Sequence, residues 1–287
     1  MPLLRTENLT HTYSSGTPFE RVAISGIDFQ ITKGEYIGII GATGSGKSTF
    51  IQHLNGLMKP TAGKVFYNDS DIHSAKSFTR EIRFKVGLVF QYPEYQLFET
   101  TVFDDIAFGP KNMGLTDADV KDRVHEAAGF AGLGEEFLEK SPFELSGGEK
   151  RRTAIAGVIA MRPEVLILDE PTAGLDPRGR DEIIKNISDY KKAHDATVIM
   201  VTHDMEEIAR SAQRIVIFDH GKIALEGTPS QVFSETALLK ELGLAAPKVT
   251  LIADKLRKLG LPISNNIYKA TQLQDELRVL RGEADNA

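Results

Sequence analysis

YIGIIGATGSGKST, Tyr36 through Thr49, decides the fold. Tyr36 to Ile40 is a mostly apolar run that reads as a buried strand, and Gly41, Gly44 and Gly46 make a turn. From Lys47 the spacing of Phe50, Ile51, Leu54, Leu57 and Met58 predicts a helix. Strand, glycine-rich loop and helix in that order form a phosphate cradle. The glycines let successive backbone N–H groups curl inward, closer than a Cβ allows. The helix that starts there adds its unpaired N–H groups and the positive end of its dipole. Lys47 then reaches terminal phosphates and the Ser48 hydroxyl suits Mg²⁺. A glycine-rich turn with a chance lysine explains the loop alone, but not the strand before it and the helix after it. The cradle comprises Gly41, Ala42, Thr43, Gly44, Ser45, Gly46, Lys47, Ser48 and Thr49.

Other short apolar runs end in residues that suit the same site. Val165 to Leu168 delivers Asp169 and Glu170 just before Pro171. Adjacent carboxylates at a strand end point differently, so Asp169 suits Mg²⁺ through its water shell while Glu170 suits an attacking water. Thr197 to Val201 ends in Thr202 and His203, and Val86 to Phe90 ends at Gln91. A strand-end histidine can meet a γ-phosphate, and a strand-end glutamine can sense water or metal. Each is equally an ordinary loop residue. Leu3 to Leu9 and Val22 to Ile31 read as strands, with Tyr13 in the turn between them. Its ring either stacks on a base or covers a strand end.

LSGGE, Leu145 to Glu149, is the second informative stretch. Ser146 and Glu149 have the spacing of a capping box. Gly147 and Gly148 are not explained by it, since each costs about 0.5–1 kcal/mol in a helix relative to alanine. A backbone approached closely by a phosphate at a helix N-terminus does explain them. Asp204 and Glu207 also have capping-box spacing, Pro93 and Pro110 are expected to bound the segment QYPEYQLFETTVFDDIAFGP, and Thr172 to Arg178 is read as a loop containing Asp176. Beyond Thr228 short helices are expected. Pro247 is placed at a first helical position, followed by the stripe Val249, Ile252, Ala253, Leu256 and Leu259, and a last helix carries Leu273, Leu277 and Leu280 before a fraying polar tail. Such stripes pack on their own domain or make a dimer contact.

The chain has 287 residues, 41% hydrophobic, with no cysteine and a net charge of −6 from 34 basic and 40 acidic side chains. Disulfides and Cys-ligated metal sites are excluded, and nothing in the charge balance marks a nucleic-acid partner. No apolar run is long enough to cross a bilayer, so service to a membrane is expected to go through partner subunits.

GATGSGKST, Gln91, LSGGE, LILDE, AGLD at Ala173 to Asp176 and His203, in this order, resemble the ATPase domain of an ABC transporter. VFQYPEYQLF, RRTAIAGVIAMRPEVLILDEPTAGLDP and LGLAAP narrow the resemblance to the ATPase subunits of energy-coupling factor transporters, and to the second of their two paired ATPases. The resemblance implies an α/β P-loop fold with a mainly parallel core sheet, an N-terminal antiparallel β subdomain and a helical subdomain at about 92–162 that carries LSGGE. The ATP-binding domain is expected over 1–227 and a helical extension over 228–287. It further implies ATP and Mg²⁺ as cofactors, with adenine on Tyr13, metal at Ser48, Gln91 and Asp169, and catalysis by Glu170, His203, Lys47 and Gln91. LSGGE would serve the ATP of a second ATPase subunit, a heterodimer being favoured over a homodimer, and Asp176 would communicate across the dimer.

In that family a transmembrane scaffold subunit docks near Gln91 through arginine-bearing helices and is joined by substrate-binding membrane subunits. Glu94, Glu99, Asp104 and Asp105 would supply opposite charge there, or are a solvated acidic surface. The expected function is ATP hydrolysis that drives uptake of vitamins or metal ions, at the cytoplasmic face of the cell membrane. The alternatives are another ABC importer or a soluble ABC ATPase of DNA repair or translation. Glu149 departs from the family's more frequent glutamine, and a carboxylate there could weaken the partner's ATP site.

Overall fold

The structure is a computed structural model that describes residues 1–281, and the polar tail expected after the last helix lies outside them. Strands β1 (Leu4–Tyr13) and β2 (Arg21–Ile31) precede β3 (Tyr36–Gly41), which enters the glycine loop, and α1 (Lys47–Leu54), which leaves it. β4 (Ala62–Tyr67), β5 (Ser70–Asp71), α2 (Lys76–Lys85) and β6 (Val86–Val89) follow. The middle of the chain is helical, with α3 (Val102–Asn112), α4 (Asp117–Ala131) and α5 (Gly147–Ile159). Next come β7 (Val165–Asp169), α6 (Pro177–His194), β8 (Thr197–Val201), α7 (Met205–Ser211), β9 (Arg214–Asp219) and β10 (Lys222–Gly227). α8 (Pro229–Ser234), α9 (Thr236–Glu241), α10 (Lys248–Lys258) and α11 (Ala270–Leu280) close the described chain.

The larger sheet has the order β10-β9-β3-β8-β7-β6, parallel throughout except for the β10–β9 hairpin. A smaller antiparallel sheet has the order β2-β1-β4-β5. Parallel strands need cover on both faces, which is why β7 and β8 are apolar without interruption. Strand alternation divides their side chains between two cores. Leu166, Leu168, Val198 and Met200 pack with Ile106, Val124, Ile155 and Ile183 of the helices on one side. Val165, Ile167, Ile199 and Val201 pack with Phe50 and Leu54 of α1 and with the smaller sheet on the other. The C-terminal ends of β3, β7 and β8 therefore open at one edge, where folds of this class bind ligands.

Several sequence expectations are corrected. α1 stops at Leu54 because the chain turns at Gly56, where φ is +70°, and Leu57 is left exposed. Pro110 lies inside α3, in its last turn, and the helix runs on to Asn112, so it does not bound that segment. α6 begins at Pro177 with Asp176 as its cap, so the preceding loop is shorter than predicted. Pro247 is the N-cap of α10, one position before the one expected. Of the α10 stripe, Val249 and Ala253 are buried but Ile252 and Leu259 are exposed. Val232, Phe233 and Leu239 of α8 and α9 pack with Ile40, Ile215 and Ile217 of the main sheet, whereas Val249, Ala253, Ile263, Ile267 and Leu273 form a small core of their own.

Candidate functional site

Gly46 sits at φ +105° with a Cβ position 2.7 Å from the Ala23 carbonyl, so only glycine fits there. Lys47 folds back over the loop, its Nζ donating to the carbonyls of Gly41 at 2.8 Å and Ala42 at 2.9 Å. Burial lowers its pKa, against the pull of Glu170 and Asp169. Tyr13, Arg21, Gly44, Gly46, Ser48 and Thr49 line a cleft of about 200 Å³ beside it. Tyr13 is 40% exposed and its hydroxyl lies 3.1 Å from Thr49 Oγ1.

Asp169 has the strand parity of Val165 and Ile167, which puts it on the α1 side of the sheet. There its Oδ2 accepts a 2.9 Å hydrogen bond from Ser48 Oγ. Burial raises the Asp169 pKa, Ser48 and Lys47 lower it, and Glu170 raises it. A hydroxyl and one buried carboxylate are hard oxygen donors that fit Mg²⁺, which keeps most of its positions for water and substrate phosphates. Among the described residues no group of three or more His, Cys, Asp or Glu gathers to hold a metal alone.

Glu170 leaves the strand at φ +51°, its N–H donating to the Val201 carbonyl at 2.8 Å. That turn throws its carboxylate toward His203, whose Nδ1 lies 2.8 Å from Glu170 Oε2. The glutamate side chain is 13% exposed and the histidine 78%. The structure thus brings together Lys47, Ser48, Asp169, Glu170 and His203. Gln91 is exposed two residues beyond β6, with no side-chain hydrogen bond among the described residues.

Ser146 and Glu149 form the predicted capping box of α5, Glu149 Oε2 accepting from the Ser146 amide at 2.8 Å and hydroxyl at 2.7 Å. The Ser146 bonds hold the Glu149 pKa below the ordinary carboxylate value. No atom lies within 4 Å of a Cβ built on Gly147, and only Leu175, at 3.9 Å, approaches one on Gly148. Internal packing gives these glycines no reason. None of Leu145 to Glu149 lines the cleft. Asp176 caps α6, its Oδ1 accepting from the Gly179 amide at 2.8 Å. Asp204 caps α7, but Glu207 does not complete the predicted box; it is 1% exposed beneath the site and accepts from Thr202 Oγ1 at 3.3 Å.

The four acids near Gln91 do not present four free charges. Glu94 is paired with Arg151 at 2.9 Å. Asp105 is buried and accepts from the amides of Phe98 and Glu99, and Asp104 pairs with Lys111 at 2.9 Å. Only Glu99 lacks a side-chain partner among the described residues. A mainly apolar groove of about 300 Å³ lies beside them, lined by Leu97, Phe98, Phe108, Val158 and Met161. Sequence reasoning missed Arg151, which is 4% exposed and also donates to the Ala173 carbonyl. An arginine in the run EKRRT has no sign that it turns inward.

The ABC transporter family matches residues 24–173, and a second family, described as an AAA domain (putative AbiEii toxin, Type IV TA system), matches residues 138–209. The energy-coupling factor transporter ATP-binding protein EcfA2 of Clostridium tetani is 53% identical over 99% of this chain and 99% of its own. Among solved structures, cbiO1 from Clostridium perfringens, part of the ABC transporter complex cbiONQ, superposes with a TM-score of 0.73 and is 38% identical over 84% of this chain and 94% of its own. A dimeric ATP-binding cassette in a post-hydrolysis state with ADP and Pi superposes with a TM-score of 0.71, 28% identical over 78% of this chain and 98% of its own.

Proposed function

The chain belongs to the ABC transporter family, and from that premise we propose how its residues bind and hydrolyse ATP in an energy-coupling factor importer. It is the ATP-binding, ATP-hydrolysing subunit of such a transporter. The observation that carries the reading is the shared sheet edge, where Ser48 meets Asp169 at 2.9 Å and Glu170 meets His203 at 2.8 Å.

Adenine stacks on Tyr13 and the loop amides of Gly41 to Thr49 hold the phosphates. Lys47 exchanges the carbonyls of Gly41 and Ala42 for terminal phosphate oxygens. Ser48, Gln91 and, through water, Asp169 would hold Mg²⁺, which when bound would neutralise charge on the phosphates. Glu170 takes the proton of the attacking water, and His203 orients that carboxylate and faces the γ-phosphate. Most of the acceleration is positioning and charge stabilisation by groups already in place.

Gly147 and Gly148, with Ser146, serve the nucleotide of a second ATPase subunit, and the open space at the Gly147 Cβ position supports that reading. Asp176 carries the state of one site to the other. A heterodimer with a second ATPase is favoured, and the groove of about 630 Å³ between α10 and α11 adds an apolar face for the dimer. The apolar groove at Phe98 and Phe108, with Glu99 next to Phe98 in the chain, receives the transmembrane scaffold subunit, and substrate-binding membrane subunits complete an importer of vitamins or metal ions. Held by those subunits, the chain sits peripherally at the cytoplasmic face of the membrane; no helix among its described residues is long and apolar enough to cross one. Purifying the tagged chain from membranes and identifying every co-purifying subunit tests the assembly. A second ATPase with integral membrane subunits is expected, and recovery with ribosomes or DNA instead overturns it.

A further inference from the structure

A closed ring of four residues ties the end of β1 to α1, and the reaction itself makes no use of two of them. Tyr13 Oη lies 3.1 Å from Thr49 Oγ1, and the Thr49 carbonyl lies 2.7 Å from Nδ1 of His53. Nε2 of His53 is 3.2 Å from Nδ1 of His11. The His11 ring meets the Tyr13 ring edge-on, centroids 4.6 Å apart at 75°. His53 has no exposed surface and His11 only 8%.

The geometry dictates the tautomers. A carbonyl only accepts, so His53 Nδ1 carries the hydrogen and its Nε2 accepts; His11 Nδ1 must then be the donor to it. Each bond fixes the next ring, so the plane of His11 is set from α1. Burial and the neighbouring His11 and His73 lower the His53 pKa, against the hydrogen bond to the Thr49 carbonyl, to about 4, which keeps the His53 ring neutral near pH 7. Phenylalanine or leucine would fill the same space without the cost of burying ring nitrogens. Tyr13 itself is partly exposed, at the end of its strand beside Ser14 at φ +52°. Apart from a contact of 3.6 Å with Met58 Sδ, its orientation rests on His11 and Thr49.

We propose that His11 and His53 are positioning residues for the nucleotide, fixing the plane of Tyr13 so that it binds the base and leaves phosphate binding unaffected. The inference rests on Tyr13 being the adenine platform. A ring already held at its stacking angle loses no rotamer freedom when the base arrives. The device therefore strengthens ATP binding without touching the base.

The experiment compares equilibrium binding of ATP and of inorganic triphosphate, which has no base, to the full chain and its variants. Tyr13→Ala weakens ATP by roughly tenfold or more. His53→Leu, which removes the relay, and His11→Asn, which keeps the donor but removes the ring, each weaken ATP by roughly 3- to 10-fold and leave triphosphate unchanged. His11→Phe, which keeps a ring against Tyr13 but loses the bond that sets its plane, also weakens ATP by roughly 3- to 10-fold, and full ATP affinity in it refutes the relay. If Tyr13→Ala leaves ATP affinity intact, the adenine platform is wrong. If Tyr13→Ala weakens ATP but the histidine variants do not, the platform stands and the relay is refuted. Parallel losses for ATP and triphosphate also refute it, because they mean the histidines only hold the loop together. Should His53→Leu fail to fold, the His11 pair decides the question.

Discussion

Replacing Arg151 by alanine opens a junction between three segments to which a function is proposed. Arg151 leaves the LSGGE helix and grips both oxygens of Glu94 at 2.9 and 3.3 Å through Nη2, while Nη1 holds the Ala173 carbonyl. Glu94 follows Gln91 by three residues and Ala173 precedes Asp176 by three. Rupturing a buried pair by removing one partner costs about 3–5 kcal/mol, since the other charge stays behind. The Glu94 side chain is 17% exposed and recovers some hydration, so the low end applies, about 3 kcal/mol. For a chain of this size that lowers the melting temperature by roughly 5 °C. ATP binding survives, because Arg151 does not touch the phosphate loop, whereas turnover in the assembled dimer falls. Thermal unfolding, ATP binding and phosphate release on Arg151→Ala measure the three quantities. The double variant Arg151→Met with Glu94→Leu regains most of the stability, because an apolar pair leaves no buried charge, but not the turnover. A single variant that melts within about 2 °C of the parent refutes the reasoning.

Glu170→Gln keeps ATP binding and lowers hydrolysis at its own site by about 10²–10⁴, the range for loss of a general base; near-normal single-site turnover contradicts the assignment. Gly147→Ala raises stability by up to about 0.5–1 kcal/mol, because alanine favours a helix and meets no atom within 4 Å, yet lowers ATP-driven dimerisation. A gain in stability with dimerisation unchanged removes the case for a close ligand. Burial raises the Glu207 pKa above the ordinary 4.5. The folded state then holds a proton that the unfolded state has lost, so this group's contribution to stability falls as pH rises above about 4.5 and levels off above the raised value. Glu207→Gln removes that slope: its melting temperature gains on the parent between pH 4 and pH 8, and parallel curves would sink the argument.

The parallel strands were legible because each is an uninterrupted apolar run that must be covered on both faces. Their end residues, Asp169, Glu170 and His203, could be placed at one sheet edge from strand order alone. α3 was hidden by Pro110, whose missing N–H is tolerated in a last turn. α1 was read too long because Leu57 and Met58 continue its apolar spacing after the chain has turned at Gly56. Partners across long sequence separations left no local trace. Ser48 and Asp169 are 121 residues apart and Arg151 and Glu94 are 57. The first pair was inferable because the phosphate loop names its chemistry, and the second was not. The acids near Gln91 looked free because sequence shows charge but not what neutralises it.

By the proposed function this chain holds half of each of two ATP sites. Phosphate release per molecule of isolated chain, followed across dilution beside sedimentation measurements of its association, tests it most directly. Activity per molecule is expected to vanish as the chain becomes monomeric and to return on adding a second ATPase subunit, while ATP binding persists throughout. A constant rate per molecule in samples that sediment only as monomer would contradict the account.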